Sequence, residues 1–173
     1  MHKLLKNGMK NICLMGLMGS GKSIIGKKLA EDLDILFFDT DTEIMNKTKK
    51  SINYIFDVHG ERYFREIEEN ICLKILHKNN CIISLGGGSI LSSKVRKKIK
   101  NSSYSIYLKV DLDILYNRIK NNTKRPLLKN ENIKNKLLSL YNDRKKFYED
   151  ADCIIENNID FKRIVKNIKE EIK

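Results

Sequence analysis

Eight residues near the start of the chain, Gly16-Leu17-Met18-Gly19-Ser20-Gly21-Lys22-Ser23, fit the pattern G-x-x-x-x-G-K-[ST]. Glycines in such a loop let successive backbone N–H groups turn inward around the α- and β-phosphates of a nucleotide. A helix that follows directs its positive N-terminus at the same anion. Lys22 can reach the β- and γ-phosphates, and the Ser23 hydroxyl can ligate Mg²⁺. An apolar strand before the motif and a helical pattern after it complete the context for ATP or GTP. The motif leaves open where the phosphoryl group goes: to water, to a nucleotide or to a small metabolite.

An acceptor must be held in line with the γ-phosphate, with charge placed to stabilise the transition state. Asp39 and Asp41 flank Thr40 at the end of an apolar run. One can face a metal and the other a substrate hydroxyl; equally, the pair reads as a helix N-cap around Thr40. In "GERYFREIEEN", Arg62 and Arg65 are three apart and Glu68 and Glu69 follow within a turn. Such spacing suits surface ion pairs, which is the expectation for Arg62. Phe64 beside Arg65 suggests partial burial there, and a partly buried guanidinium seeks a carboxylate or a phosphate. Gly86-Gly87-Gly88 either makes a plain turn or lets the backbone approach a ligand closely. Arg125, in "NNTKRPLL", sits where a lid arginine would close over phosphates, although a lone loop arginine is ordinarily exposed and idle.

The elements that must position these residues alternate as βαβα. Strands are predicted at Asn11–Met15, Ile35–Phe38, Cys81–Ser84, Tyr104–Leu108 and Cys153–Ile155. Helices are predicted at Lys22–Asp32, Asp41–Lys47, from a Ser51 cap to a stop at Gly60, Glu61–His77, near Ser93–Lys100, from an Asp111 cap to about Lys120, Ile133–Tyr148, and after an Asp160 cap. Asn121–Asn130 is polar and loop-like and holds Pro126, the single proline of the chain. Strands separated by helices imply a parallel sheet covered on both faces, whose ligands gather beyond the carboxyl ends of the strands. The glycine loop, Asp39-Thr40-Asp41 and Gly86–Gly88 all follow strands directly, so they converge on one rim.

Composition narrows the classes further. The 173 residues suit one domain, and 41% hydrophobic with 32% charged residues is a globular balance. No apolar run approaches the ~18 residues of a spanning helix. Met1–Lys10 is basic, but the apolar stretch after it is the strand leading into the glycine loop, so a signal peptide is a poor reading and the cytoplasm is the expected location. Cys13, Cys72, Cys81 and Cys153 are too far apart for a zinc or redox pair and read as reduced, mostly buried thiols. The net charge of +12 fits a lysine-rich solvated surface, or steering of anionic substrates, better than a nucleic-acid groove, because no basic stripe is interleaved with aromatics.

The set Gly16–Ser23, "FFDTD" (Phe37–Asp41), "GERYFREIE" (Gly60–Glu68), "SLGGGS" (Ser84–Ser89), "NTKRPLL" (Asn122–Leu128) and "RKKFYEDAD" (Arg144–Asp152), in that order, resembles the shikimate kinase family over most of the chain. The resemblance implies a three-layer α/β fold similar to nucleoside monophosphate kinases, with a five-stranded parallel sheet in the order 2-3-1-4-5 and a mobile lid at about 121–131. All of 1–173 would be one domain. It implies phosphorylation of the shikimate 3-hydroxyl, with Mg²⁺ and ATP. Gly19, Ser20, Gly21, Lys22, Ser23 and Ile24 would then bind ATP, Arg118 would stack on its adenine, and Arg125 would neutralise the transferred phosphoryl group. Asp41 would accept hydrogen bonds from shikimate hydroxyls, Arg65 and Arg144 would grip its carboxylate, and Gly87 and Gly88 would lie beside it. Asp39, with Ser23, would serve the metal, through water, and could assist deprotonation. A monomer acting on two small molecules, with neither nucleic acid nor membrane as partner, is the corresponding expectation.

The chain departs from the family pattern in three places. Ile24 stands where the family commonly has threonine, which removes a hydroxyl contact to the α-phosphate and predicts altered nucleotide affinity. Glu156-Asn157-Asn158-Ile159-Asp160 replaces a basic, proline-containing adenine loop. Lys-Lys-Phe-Tyr follows Arg144 where a proline is usual. Competing readings are a gluconate-type kinase, a nucleotide-binding protein without catalysis, and a basic nucleic-acid binder. The Asp41–Arg65–Gly87–Arg144 group has no purpose in the first. Lys22, Asp39 and Arg125 argue against the second, and the lack of a basic stripe against the third.

Overall fold

Alternate residues of the first strand, β1 (Asn11–Met15), must find apolar cover on opposite sides, and a computed structural model describing residues 11–120, 132–158 and 160–172 shows that they do. Ile12 and Leu14 enter one apolar layer and Cys13 and Met15 the other, as the two-residue period of a strand requires. All five residues are buried, so β1 is central. The sheet runs β2 (Leu36–Asp39), β3 (Cys81–Ser84), β1, β4 (Ser103–Lys109), β5 (Cys153–Glu156), with every neighbouring pair parallel. This is the predicted 2-3-1-4-5 order.

Helices cover both faces. On one, α1 (Lys22–Leu33) sets Ile25 and Leu29 on Ile12, Leu14 and Ile106, and the C-terminal helix Phe161–Glu171 adds Ile164 and Ile168. On the other lie α2 (Thr40–Thr48), α3 (Ile52–Ile75), α4 (Ser93–Ser102), α5 (Leu112–Ile119) and α6 (Ile133–Tyr148). They contribute Ile44, Phe64, Ile71, Val95, Leu115 and Leu137 to a second layer. The Phe161–Glu171 helix is α7. Each fully buried side chain of this size contributes about 1.5–3 kcal/mol, so both layers resist opening. Among the described residues no helix is long and apolar enough to cross a membrane.

Several local expectations need correction. β2 lies one residue later than predicted and ends on Asp39 itself. Asp111 and Asp160 occupy N-cap positions, but neither side chain caps its helix; the Asp111 backbone N–H instead donates to Asn158 Oδ1 at 3.0 Å. Ser51 does cap, accepting from the Tyr54 N–H at 3.2 Å. The predicted stop at Gly60 is a break inside a continuous run, with φ 80° and ψ 172°. The thiols of Cys13 and Cys72 are pushed up to about 12 and that of Cys81 to about 11, chiefly by burial, so all three stay protonated and inert.

Gly60 occupies a backbone region that only glycine enters comfortably, and an added Cβ there would meet nothing within 4 Å. The cost of Gly60→Ala is therefore conformational alone. We expect a loss of about 1–3 kcal/mol in equilibrium denaturation. A variant as stable as the parent would mean that α3 can straighten.

Candidate active site

Three strand ends build the site. β1 runs into the glycine loop, which closes with a hydrogen bond from the Ser20 N–H to the Leu17 carbonyl at 3.2 Å. Gly21 starts α1 in a left-handed conformation, and no side chain caps the helix. Its first N–H groups are thus left for an anion. Lys22 is buried and folds back into the loop. Its Nζ donates to the carbonyls of Gly16 at 2.8 Å and Leu17 at 2.9 Å, and to Ser20 Oγ at 3.3 Å.

At the end of β2, Asp39 caps the following helix with one carboxylate oxygen and turns the other toward Ser23. Its Oδ1 accepts from the N–H groups of Asp41 at 3.1 Å and Thr42 at 3.2 Å, capping α2. Its Oδ2 accepts from the Ser23 hydroxyl at 2.5 Å. Ser84 Oγ, from the end of β3, lies 3.5 Å from Ser23 Oγ. These are hard oxygen donors beside a phosphate loop, a set that fits Mg²⁺ held together with nucleotide phosphates. Among the described residues no group of three or more His, Cys, Asp or Glu could hold a metal alone.

Beyond β3 the triple-glycine turn packs against the side chains of Thr40, Asp41, Arg65 and Glu68. Thr40, fully buried between the aspartates, accepts from the Gly86 N–H at 2.7 Å. A Cβ on Gly86 would stand 2.6 Å from Glu68 Oε1 and 3.0 Å from Asp41 Oδ1. A Cβ on Gly88 would collide with the Arg65 guanidinium, so that position must be glycine for Arg65 to lie where it does. Arg65 is held by two carboxylates: Nη1 donates to Glu68 Oε2 at 2.5 Å, and Nε and Nη2 donate to Glu61 Oε1 at 3.1 and 2.8 Å. Burial disfavours its charge, but Glu68 and Glu61 more than offset this and raise its pKa. Arg62, as expected, forms a surface ion pair, here with Glu66.

A cavity of about 490 Å³ gathers Gly19, Gly21, Lys22, Ser23, Ile24, Asp39, Asp41, Gly86, Gly87 and Arg118. The remaining predicted residues lie around it. Ser20 is buried within the loop. Arg65 and Gly88 line a neighbouring 360 Å³ cavity with Glu61 and Glu68. Arg144 is 2% exposed and sits behind Gly87, its Nη1 3.5 Å from where a Gly87 Cβ would be. Its Nε has no hydrogen-bond partner among the described residues. Arg125 and the segment of about 121–131 predicted as a lid lie outside the described residues.

Sequence reasoning missed several participants. Asn157, just past β5, is buried and donates from Nδ2 to the Ser20 carbonyl at 2.6 Å. Arg118 spans the same corner, donating to the carbonyls of Gly19 and Asn157, each at 3.2 Å. Phe161 closes that end of the cavity beside Ile24, which is 69% exposed. Glu68 and Thr40 were visible only as neighbours of better candidates. Tyr148 donates its hydroxyl to the Gly87 carbonyl at 2.5 Å, and the four-residue step from Arg144, one helical turn, was the available signal for it.

The family model for shikimate kinase matches residues 18–173. A shikimate kinase of Caldicellulosiruptor bescii is 39% identical over 151 residues, covering 87% of this chain and 88% of the relative. One from Legionella pneumophila strain Corby is 37% identical over 161 residues, covering 92% of each. The solved structure of an Acinetobacter baumannii shikimate kinase in complex with shikimate superposes with a TM-score of 0.90 at 32% identity, covering 94% of this chain and 92% of that one.

Proposed function

The chain belongs to the shikimate kinase family, and from that premise we propose that it transfers the γ-phosphoryl group of ATP to the 3-hydroxyl of shikimate. The observation that carries the reading is that the phosphate loop, the Ser23–Asp39 pair and Asp41 line one cavity, with the triple-glycine turn as its far wall. The donor and acceptor halves of a phosphotransfer site thus face each other.

In the reaction the substrate hydroxyl oxygen bonds to the γ-phosphorus, the bond from that phosphorus to the bridging oxygen breaks, ADP departs and the hydroxyl proton is released. Such transfers have a loose transition state, so positioning and charge do most of the work. Asp41 accepts hydrogen bonds from the shikimate hydroxyls. Arg144 and Arg65 hold its carboxylate, a planar anion suited to the guanidinium fork. Lys22 leaves its loop carbonyls for the β- and γ-phosphates. Ser23 and Asp39 would hold Mg²⁺, which when bound supplies positive charge to the phosphate oxygens. Asp39 also stands where it can receive the released proton, directly or through water. Arg125 would neutralise charge on the transferred group. Arg118, fixed at the Gly19 and Asn157 carbonyls, presents its plane to adenine. The protein acts as a monomer in the cytoplasm on these two small anions, and its positive charge steers them in.

An ADP-release assay with shikimate, gluconate and a nucleoside monophosphate tests the reading. Turnover with shikimate alone is expected; turnover with another acceptor and none with shikimate would overturn it. Ile24 gives a narrower test. Its side chain offers no hydroxyl, so Ile24→Thr should lower the KM for ATP roughly two- to tenfold, the worth of one net hydrogen bond. An unchanged KM would show that backbone N–H groups already satisfy the α-phosphate.

A further inference from the structure

We propose that Tyr148 is a positioning residue for the acceptor side of the site: its hydroxyl pins the Gly87 carbonyl and so holds the triple-glycine turn against Arg144. The inference rests on the reading of shikimate as acceptor.

Helix α6 places Tyr148 one turn after Arg144. The ring is 1% exposed and stacks on Tyr107 of β4, with centroids 5.0 Å apart and planes 17° from parallel. This packing fixes the ring and aims its hydroxyl at Gly87, whose carbonyl oxygen accepts at 2.5 Å. Burial pushes the phenol up to about 12, against the opposite pull of the Arg144 guanidinium. It is therefore a neutral donor across the working range of pH.

The turn needs that donor. Its first residue, Gly86, is anchored twice, by its N–H to Thr40 Oγ1 at 2.7 Å and by its carbonyl to the Ser89 N–H at 3.0 Å. Gly87 lacks a side chain to fix it, and rotation of a glycine-flanked peptide meets little steric resistance. The surrounding clearances are small: a Gly87 Cβ would stand 3.3 Å from the Gly16 carbonyl, 3.5 Å from Arg144 Nη1 and 3.6 Å from the Met18 N. A peptide free to rotate here moves the wall that Arg144 packs against. A phenylalanine would keep the stack and leave a half-buried carbonyl without its partner, which favours such rotation.

The test is Tyr148→Phe, with Tyr107→Phe as a control that removes a hydroxyl from the other half of the stack. Tyr148→Phe is expected to raise the KM and the calorimetric Kd for shikimate about tenfold, the effect of one net hydrogen bond. The KM for ATP and kcat should stay within twofold of the parent. Tyr148→Leu, which also loses the stack, should lower Tm while adding little to the shikimate effect. Equal changes in both KM values, an unchanged shikimate Kd, or the same shift in Tyr107→Phe would each overturn the proposal. A parent chain inactive on shikimate would overturn the activity reading as well. An active parent with an unaffected Tyr148→Phe would overturn this inference alone.

Discussion

Lys22→Met should lower kcat for shikimate phosphorylation by roughly 10³, the loss expected when a preorganised charge aimed at transition-state oxygens is removed. The methionine keeps most of the apolar stem and deletes the ammonium, so packing is nearly preserved. In the structure that ammonium is held by two loop carbonyls and Ser20 Oγ. These bonds keep a buried cation solvated by the protein until phosphates arrive. The variant should therefore fold, and its far-UV circular dichroism should match the parent. Lys22→Arg should not rescue it, because a planar fork cannot occupy the pocket of a compact ammonium. ADP release within tenfold of the parent would remove Lys22 from the catalytic set.

Arg144→Met should raise the KM for shikimate about 10²-fold and leave the KM for ATP within about threefold. A buried guanidinium whose Nε has no partner among the described residues has desolvation already imposed on it by the fold. A carboxylate that reaches it gains charge-assisted hydrogen bonds in a dry setting, and truncating such a pair costs about 2–5 kcal/mol, the lower part of which is about 10²-fold. Equal losses for both substrates would mean that Arg144 supports the fold and not the acceptor. Arg65→Ala is a poorer experiment. It would leave the Glu68 carboxylate, 3% exposed, without its cation, and breaking a buried pair destabilises by roughly 3–5 kcal/mol. Pairing it with Glu68→Gln removes the orphaned charge and isolates the effect on substrate.

The sheet and both helical layers were legible in the sequence because β1, β3 and β4 are short, mostly apolar segments and the helices between them carry a clear 3.6-residue period. The phosphate-loop side of the cavity was equally legible, since its residues come together through local spacing. Gly19, Lys22, Ser23 and Asp39 share a cavity for reasons contained in two short segments. The acceptor half depends on contacts between segments far apart in the chain, and no local pattern encodes them. Arg65 against the Gly88 backbone, Thr40 beneath Gly86, and Asn157 on the Ser20 carbonyl are of this kind. Spacing nominated Arg65 and put Glu68 within pairing reach, but gave no sign of the Gly88 backbone against which the guanidinium lies. The two aspartate caps failed for a related reason: residue type sets a preference for the N-cap, while the orientation of the incoming chain decides whether the side chain is used.

The break at Gly60 makes α3 two levers on one pivot. Ahead of the pivot are α2, which carries Asp41, and the first turns of α3; behind it is the half that carries Arg65 and Glu68. Local opening can follow such a boundary, with a free energy below that of global unfolding. On the proposed reading, an acceptor held by Asp41 on one lever and by Arg65 on the other would couple the two. Binding would then suppress opening of the Thr40–His59 lever, and the affinity measured in solution would report the intrinsic contacts reduced by the fraction of molecules in which that lever is closed.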